Sequence, residues 1–287
     1  MLVFALRGEN VTLRELARAT LPDSLLRFMS RARRRVRDYR YSKMSLEQTF
    51  SYIYARNVWG GTDGELFSGR GSSNPQIVGC YVQAVKRFLR ELPFGDRRVV
   101  DLGCGNFNIG AQFVEDCCSY VGVDIVPEVI ASLQKQYRAD TIAFKVANIV
   151  SDELPHGRIC MLRQVLQHLS NSEILRVLPK LSQYEFVVVT EHFPNEEYFV
   201  APNLDKSHGP HIRLERGSAV CLDQPPFSLS RSAMRVLVEV HGDGTGEDRR
   251  AGIIRTFVIP GIAFSHERPG FATGNVQGRQ QHVTRAG

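Results

Sequence analysis

The spacing of apolar residues changes character along this chain. Toward the start it is helical: Val11, Leu13, Leu16 and Ala17 lie on one stripe, and Leu25, Leu26, Phe28 and Met29 form another after Pro22 and Asp23. Ser45-x-x-Gln48 has the pattern of a capping box and opens a further helix through Phe50, Tyr52, Ile53 and Tyr54 toward Trp59. The first sixty residues therefore predict a helical extension. A Gly- and Ser-rich stretch from Gly60 to Ser73 follows, and it reads equally as a lid or as a linker.

From Asn74 and Pro75 onward, short apolar runs alternate with helical patterns. Pro75 sits at a first helical position, with Val78, Val82, Val85, Phe88 and Leu89 behind it and an end near Pro93. Strands are predicted over Arg98–Leu102, Tyr120–Val123, Ile142–Val146, Ile159–Leu162 and Phe186–Thr190. Helices are predicted over Ile109–Asp116, Pro127–Tyr137 and Ser172–Leu181, the last capped by Ser170-x-x-Glu173. Such alternation implies a mostly parallel sheet with helices on both faces. Met234–Val240 and Ile253–Ile259 read as a hairpin closing the sheet edge, and the residues from about His266 read as a loosely ordered tail.

Composition narrows the class. With 43% apolar and 23% charged residues, the chain has enough apolar material for one large core and an appended segment. No run is long and apolar enough to span a membrane and no signal segment opens the chain, so the expected compartment is the cytoplasm. Six cysteines without CxxC spacing read as reduced thiols. The net charge of +6 is local: residues 1–60 hold 12 Lys/Arg against 5 Asp/Glu, and six arginines fall between Arg31 and Arg40. The rest of the chain is near neutral, which argues against a polyanionic substrate.

The densest chemistry lies in Val99-Val100-Asp101-Leu102-Gly103-Cys104-Gly105-Asn106-Phe107-Asn108-Ile109-Gly110. An apolar strand running into glycines lets backbone approach a ligand closely. Asp101 ends that strand, within reach of an ammonium group. Asp124 closes the next one, where a carboxylate accepts from ribose hydroxyls. A pyrophosphate on the following helix would be repelled by Asp101, and Gly103-x-Gly105-x-x-Asn108 lacks the third glycine of a dinucleotide fingerprint.

These residues resemble motifs I and II of class I S-adenosylmethionine-dependent methyltransferases. The resemblance continues through Ala147-Asn148-Ile149 and Met161–Ser170, so that it covers residues 99–190. It implies a Rossmann-like α/β fold with a seven-stranded, mostly parallel sheet, and S-adenosylmethionine held by Asp101, Gly103, Gly105, Asn106, Asp124, Ile125, Asn148, Ile149 and Gln164. Phe107 stands where the family pattern has another glycine, so Asn106 and Asn108 are expected to take up the positive φ of the turn. Trp59-Gly60-Gly61 and Ser68–Ser72 are similar to a segment preceding motif I in bacterial members of poorly defined substrate, which supports a lid. The expected organisation is an extension and lid over 1–73, the methyltransferase domain over 74–262 with an acceptor-pocket insertion at about 193–230, and a tail over 263–287.

Methyl transfer to a hydroxyl needs a proton acceptor, and histidine suits that role near neutral pH. His192 follows the fifth strand and His168 the fourth, which makes them the two candidate bases. His208, His211 and Arg213 in the insertion, together with Trp59, are candidate acceptor contacts. The strand Ile159–Arg163 has no acid of the kind a metal-dependent catechol-type enzyme needs, so no metal is expected; His192, Asp205, His208 and His211 are the cluster that would hold one. The leading reading is transfer to an oxygen of a small molecule, a sugar or secondary metabolite, without nucleic acid and compatible with a homodimer. Alternatives are an N-methyltransferase, an RNA methyltransferase using the arginine run, or a non-catalytic partner subunit, which Phe107 favours.

Overall fold

The computed structural model describes residues 3–6, 9–12, 22, 24, 25, 29, 38–61, 66–69 and 73–265. Strands β1 (Val3–Leu6) and β2 (Glu9–Thr12) pair antiparallel. Val11 and Thr12, expected to begin a helix, are thus extended, as suits β-branched residues. The helical reading of Leu13–Ala17, the Arg31–Arg37 part of the basic run and the tail from His266 lie outside the described residues.

Helix α1 (Leu46–Ala55) starts at the capping box. Ser45 Oγ accepts from the Gln48 amide at 3.1 Å and Gln48 Oε1 accepts from the Ser45 amide at 3.0 Å. Helix α2 (Pro75–Arg90) is capped by Asn74 and buries Tyr81, Val85, Phe88 and Leu89 along one face.

The central sheet is built from β3 (Arg98–Leu102), β4 (Ser119–Asp124), β5 (Ile142–Val146), β6 (Ile159–Arg163), β7 (Phe186–Phe193), β8 (Arg235–His241) and β9 (Ile253–Pro260). Their order is β5-β4-β3-β6-β7-β9-β8, with β9 antiparallel to both neighbours and the other contacts parallel. This is the class I methyltransferase arrangement of a Rossmann-like sheet. Strand order reverses beside β3, which opens a crevice at the carboxyl ends of β3 and β6. Buried clusters on the two faces centre on Val100, Leu162 and Val189, and on Val85, Tyr120 and Met161.

Two predicted helices are shortened. Ile109–Asp116 forms two 3₁₀ turns, Gly110–Gln112 and Val114–Asp116, because Asn108, Gly110 and Asp116 are weak helix formers and buried Phe113 pulls the chain inward. Helix α4 (Asn171–Val177), which follows α3 (Pro127–Gln136), gives way to a 3₁₀ segment over Leu178–Gln183, since Pro179 lacks the amide that would continue it. Between β7 and β8 the chain carries a long irregular insertion. There Asn203 accepts from the Cys221 amide at 2.7 Å and donates to the Cys221 carbonyl at 2.9 Å.

Candidate active site

Parallel register pairs Asp101 with Gly122 and Leu102 with Val123, so Asp101 and Asp124 reach the same end of the sheet. The chain then turns sharply: the Gly103 and Cys104 amides both donate to the Val123 carbonyl, at 2.7 and 3.0 Å. Gly103 (φ 78°) and Gly105 (φ 54°) are left-handed. A β carbon at Gly105 would stand 2.6 Å from Ser68 Oγ, and one at Gly103 would stand 2.5 Å from Val165 Cγ2.

Asn106 and Asn108 do not take the positive φ expected of them; Phe107 does, at 63°. Its ring, 1% exposed, sits among Tyr120, Tyr137 and Phe144 at centroid distances of 5.1, 4.8 and 5.0 Å. Aromatic burial outweighs the left-handed penalty.

The turn forms one wall of a cavity of about 400 Å³. Asp124 lies at its base. Its Oδ2 accepts from the Gly105 amide at 3.0 Å and its Oδ1 from the Val126 amide at 3.1 Å. Burial raises its pKa against those two bonds and a third from the Ile125 amide. Asp101 accepts a hydrogen bond from the Tyr120 hydroxyl, and burial pushes it up to about 6 despite that bond and the nearby Arg163. Arg163, at the end of β6, also lines the cavity, with its guanidinium carbon 4.9 Å from the centroid of Tyr81. Sequence reasoning missed both Arg163 and Tyr81. A charged residue closing a strand whose other four residues are fully buried was the available signal for Arg163.

Ile125, Asn148, Ile149 and Gln164 line the same cavity. Asn148 Oδ1 already accepts from the Val150 amide at 3.0 Å, and Gln164 Oε1 accepts from Arg163 Nη1 at 3.2 Å. The N-terminal extension forms the roof. Ser68 Oγ accepts from the Asn106 amide at 3.3 Å and bonds the Tyr54 hydroxyl at 3.1 Å, while Trp59 Nε1 donates to the Pro210 carbonyl at 3.3 Å.

His168 and His192 both line the cavity. His168 bonds the Gly209 carbonyl through Nδ1 at 3.1 Å, and its ring lies 5.2 Å from Trp59 and 6.4 Å from Phe50. Burial, with Lys206 nearby, drives its pKa down to about 3. His192 bonds the Ala251 carbonyl through Nε2, and burial lowers it too. Glu191, next in sequence, points away from His192, since successive strand residues take opposite faces. It is buried near Arg213 and is raised to about 8 by desolvation.

The candidate acceptor contacts His208, His211 and Arg213 do not line the cavity. His208 bridges Glu173 Oε1 at 2.8 Å and the Met44 carbonyl at 3.1 Å, and the bond to Glu173 raises its pKa. His211 pairs with Glu215 at 3.1 Å. Arg213, 1% exposed, donates to the carbonyls of Leu204, Gln167 and Leu169 and to Asn171 Oδ1. Arg213 thus holds the insertion against the loop after β6, His208 ties it to α4 and to the segment before α1, and His211 pairs within it with Glu215, which lines the cavity; all three were expected at the acceptor. Among the described residues no group of three or more His, Cys, Asp or Glu is arranged to hold a metal ion.

Residues 99–184 match the family model described as a methyltransferase domain. No curated protein matches the chain. Among solved structures, the chain is similar to the N-methyltransferase NodS from Bradyrhizobium japonicum in complex with S-adenosylhomocysteine: 13% identity, 73% of this chain and 98% of that one, TM-score 0.49. It is also similar to the Synechocystis magnesium protoporphyrin IX methyltransferase with S-adenosylhomocysteine bound: 12% identity, 74% and 95% coverage, TM-score 0.46. Human N-acetylserotonin methyltransferase in complex with S-adenosylmethionine matches at 13% identity over 76% of this chain and 60% of that one, TM-score 0.42.

Proposed function

We propose that this chain, which carries a methyltransferase domain over residues 99–184, is an S-adenosylmethionine-dependent methyltransferase acting on a small molecule. One observation carries the reading: the ends of β3, β4 and β6 bring two carboxylates and a guanidinium, Asp101, Asp124 and Arg163, to one cavity. Such a set suits a ligand with an ammonium, a vicinal diol and a carboxylate. Asp124 accepts from the Gly105 and Val126 amides, one on each oxygen, and also from the Ile125 amide, which leaves a lone pair for a ribose hydroxyl. Asp101 would hold the ammonium and Arg163 the carboxylate, and Ile125 and Ile149 would flank the adenine.

When bound, S-adenosylmethionine supplies an electrophilic methyl group on a sulfonium. The protein's task is then alignment and proton management. Donation from His168 Nδ1 to Gly209 O and from His192 Nε2 to Ala251 O leaves His192 Nδ1 as a proton acceptor, and His168 Nε2 as a second one that a substrate would share with the Gln167 amide at 3.5 Å. With their proton affinity lowered by burial, these histidines orient the acceptor's proton and take it up once methylation has made the acceptor strongly acidic. We assign the roof formed by Tyr54, Trp59 and Ser68 as a lid that excludes water. The compartment we propose is the cytoplasm. The six cysteines are unpaired, and no described helix is long and apolar enough to cross a membrane.

Titration calorimetry with S-adenosylmethionine tests the assignment. Saturable binding that weakens roughly 10- to 100-fold in Asp124→Ala is the expected result, and no binding at millimolar cofactor removes the reading.

A further inference from the structure

The far end of the cavity, over β7 and β9, holds His192 and Ile254, which are cross-strand partners. It continues along Gln167 and His168 to the roof residues Phe50 and Trp59. Its polar groups have a common character. His168 Nδ1 is spent on the Gly209 carbonyl, His192 Nε2 on the Ala251 carbonyl, and the Trp59 N–H on the Pro210 carbonyl. Gln167 is 6% exposed and its Nε2 leans on His168 Nε2 at 3.5 Å, while its Oε1 is buried with no partner among the described residues. A buried carbonyl oxygen without a donor is costly, and a ligand's O–H or N–H group relieves that cost.

Charge points the same way. Arg163 is held at the cofactor end beside Asp101 and Tyr81, and no other cationic side chain lines the cavity among the described residues. Lys206 and Arg213 lie behind the wall, bonded to the carbonyls of His168, Gln167 and Leu169. Both wall histidines are held neutral by burial. This end of the cavity therefore offers hydrogen-bond acceptors beside a mutually packed cluster of Phe50, Trp59 and the His168 ring: His192 Nδ1 and the Glu215 side chain, with His168 Nε2 approached by the Gln167 amide and the unpartnered Gln167 Oε1 buried in the wall.

From this juxtaposition we infer that the methyl acceptor is a flat aromatic molecule without a negative charge that bears an O–H or N–H group, packed against the Trp59 and His168 rings, with its donor read by Gln167 and His192. A carboxylate-bearing acceptor finds no counter-ion there. A sugar finds neither the donors for its many oxygens nor a use for the ring walls. The inference rests on the methyltransferase reading and narrows its substrate.

Trp59 is the chain's single tryptophan, so its emission reports directly on this end of the cavity. The enzyme is first saturated with S-adenosylhomocysteine, with binding followed by calorimetry. It is then titrated with 4-ethylphenol, 4-ethylaniline, 4-ethylanisole, 4-ethylbenzoate and methyl glucoside while Trp59 emission is read. The phenol, the aniline or both are expected to change the emission saturably, at least tenfold more tightly than the anisole, which has no donor, and than the benzoate or glucoside. The phenol-to-aniline ratio distinguishes an oxygen from a nitrogen acceptor. Gln167→Leu is expected to weaken the favoured probe about tenfold and leave the anisole unchanged, with an intact S-adenosylhomocysteine affinity showing that the variant is folded. Equal affinity for phenol and anisole, tighter benzoate or glucoside binding, no effect of Gln167→Leu, or no probe binding at all would overturn the inference. Failure of S-adenosylhomocysteine to bind in the first step instead overturns the methyltransferase reading.

Discussion

Phe107 holds a left-handed backbone at φ 63° while its ring packs edge-on against Phe144, with centroids 5.0 Å apart. The turn proposed to cradle the cofactor is thus pinned from behind by an aromatic anchor, where a glycine would have made it merely permissive. Gly110 makes room for that anchor, since a β carbon there would stand 2.7 Å from the Phe107 ring.

Phe107→Gly, although closer to the usual motif, is expected to destabilise the protein. Relief of the left-handed penalty returns about 1–2 kcal/mol, whereas emptying a fully buried aromatic site costs about 3–5 kcal/mol. A net loss of about 2 kcal/mol should appear as a lower denaturation midpoint. A variant as stable as the parent would show that the ring does not hold the turn.

Asp124→Ala removes the acceptor proposed for the ribose and leaves the Gly105 and Val126 amides without their partner. Cofactor affinity should fall roughly 10- to 100-fold, equivalent to the loss of one or two charge-assisted hydrogen bonds. Calorimetry with S-adenosylhomocysteine measures this directly, and an unchanged dissociation constant would place the ribose elsewhere.

Cofactor binding should depend on pH through Asp101. Burial raises its pKa to about 6, so above that value it is a carboxylate able to pair with an ammonium, and below it the carboxyl is neutral. Affinity is expected to be level above pH 7 and to fall by up to tenfold per pH unit below about 6. Asp101→Asn should bind more weakly throughout and lose that dependence. A wild-type profile flat down to pH 5 would mean that Asp101 does not meet the ammonium.

Arg213→Met should act on stability, with little effect on cofactor affinity. It strands three buried carbonyls and the Asn171 side chain, at an expected cost of about 3 kcal/mol. Arg213→Lys should recover only part of that, because one ammonium cannot reproduce the planar fork. A loss of acceptor affinity at unchanged stability would instead return Arg213 to the binding site.

The elements that depend on local periodicity were legible from residues alone. The strand–helix alternation after Pro75, the capping boxes at Ser45 and Ser170, and the glycine turn between Asp101 and Asp124 are short-range patterns written within a few consecutive residues. Tertiary structure decided what depends on partners far along the chain. His208, His211 and Arg213 read as ligand-binding residues by type and loop position, but Glu173 and the carbonyls after β6 claim His208 and Arg213 as braces, and His211 pairs with Glu215 within the loop. Arg163 entered the cavity because parallel pairing ends β6 beside β3. Phe107 took the left-handed turn because Tyr120, Tyr137 and Phe144 converge on its ring from other elements. In each case the side chain's chemistry was set by sequence, and its use by which buried groups the fold brought within hydrogen-bonding or van der Waals reach.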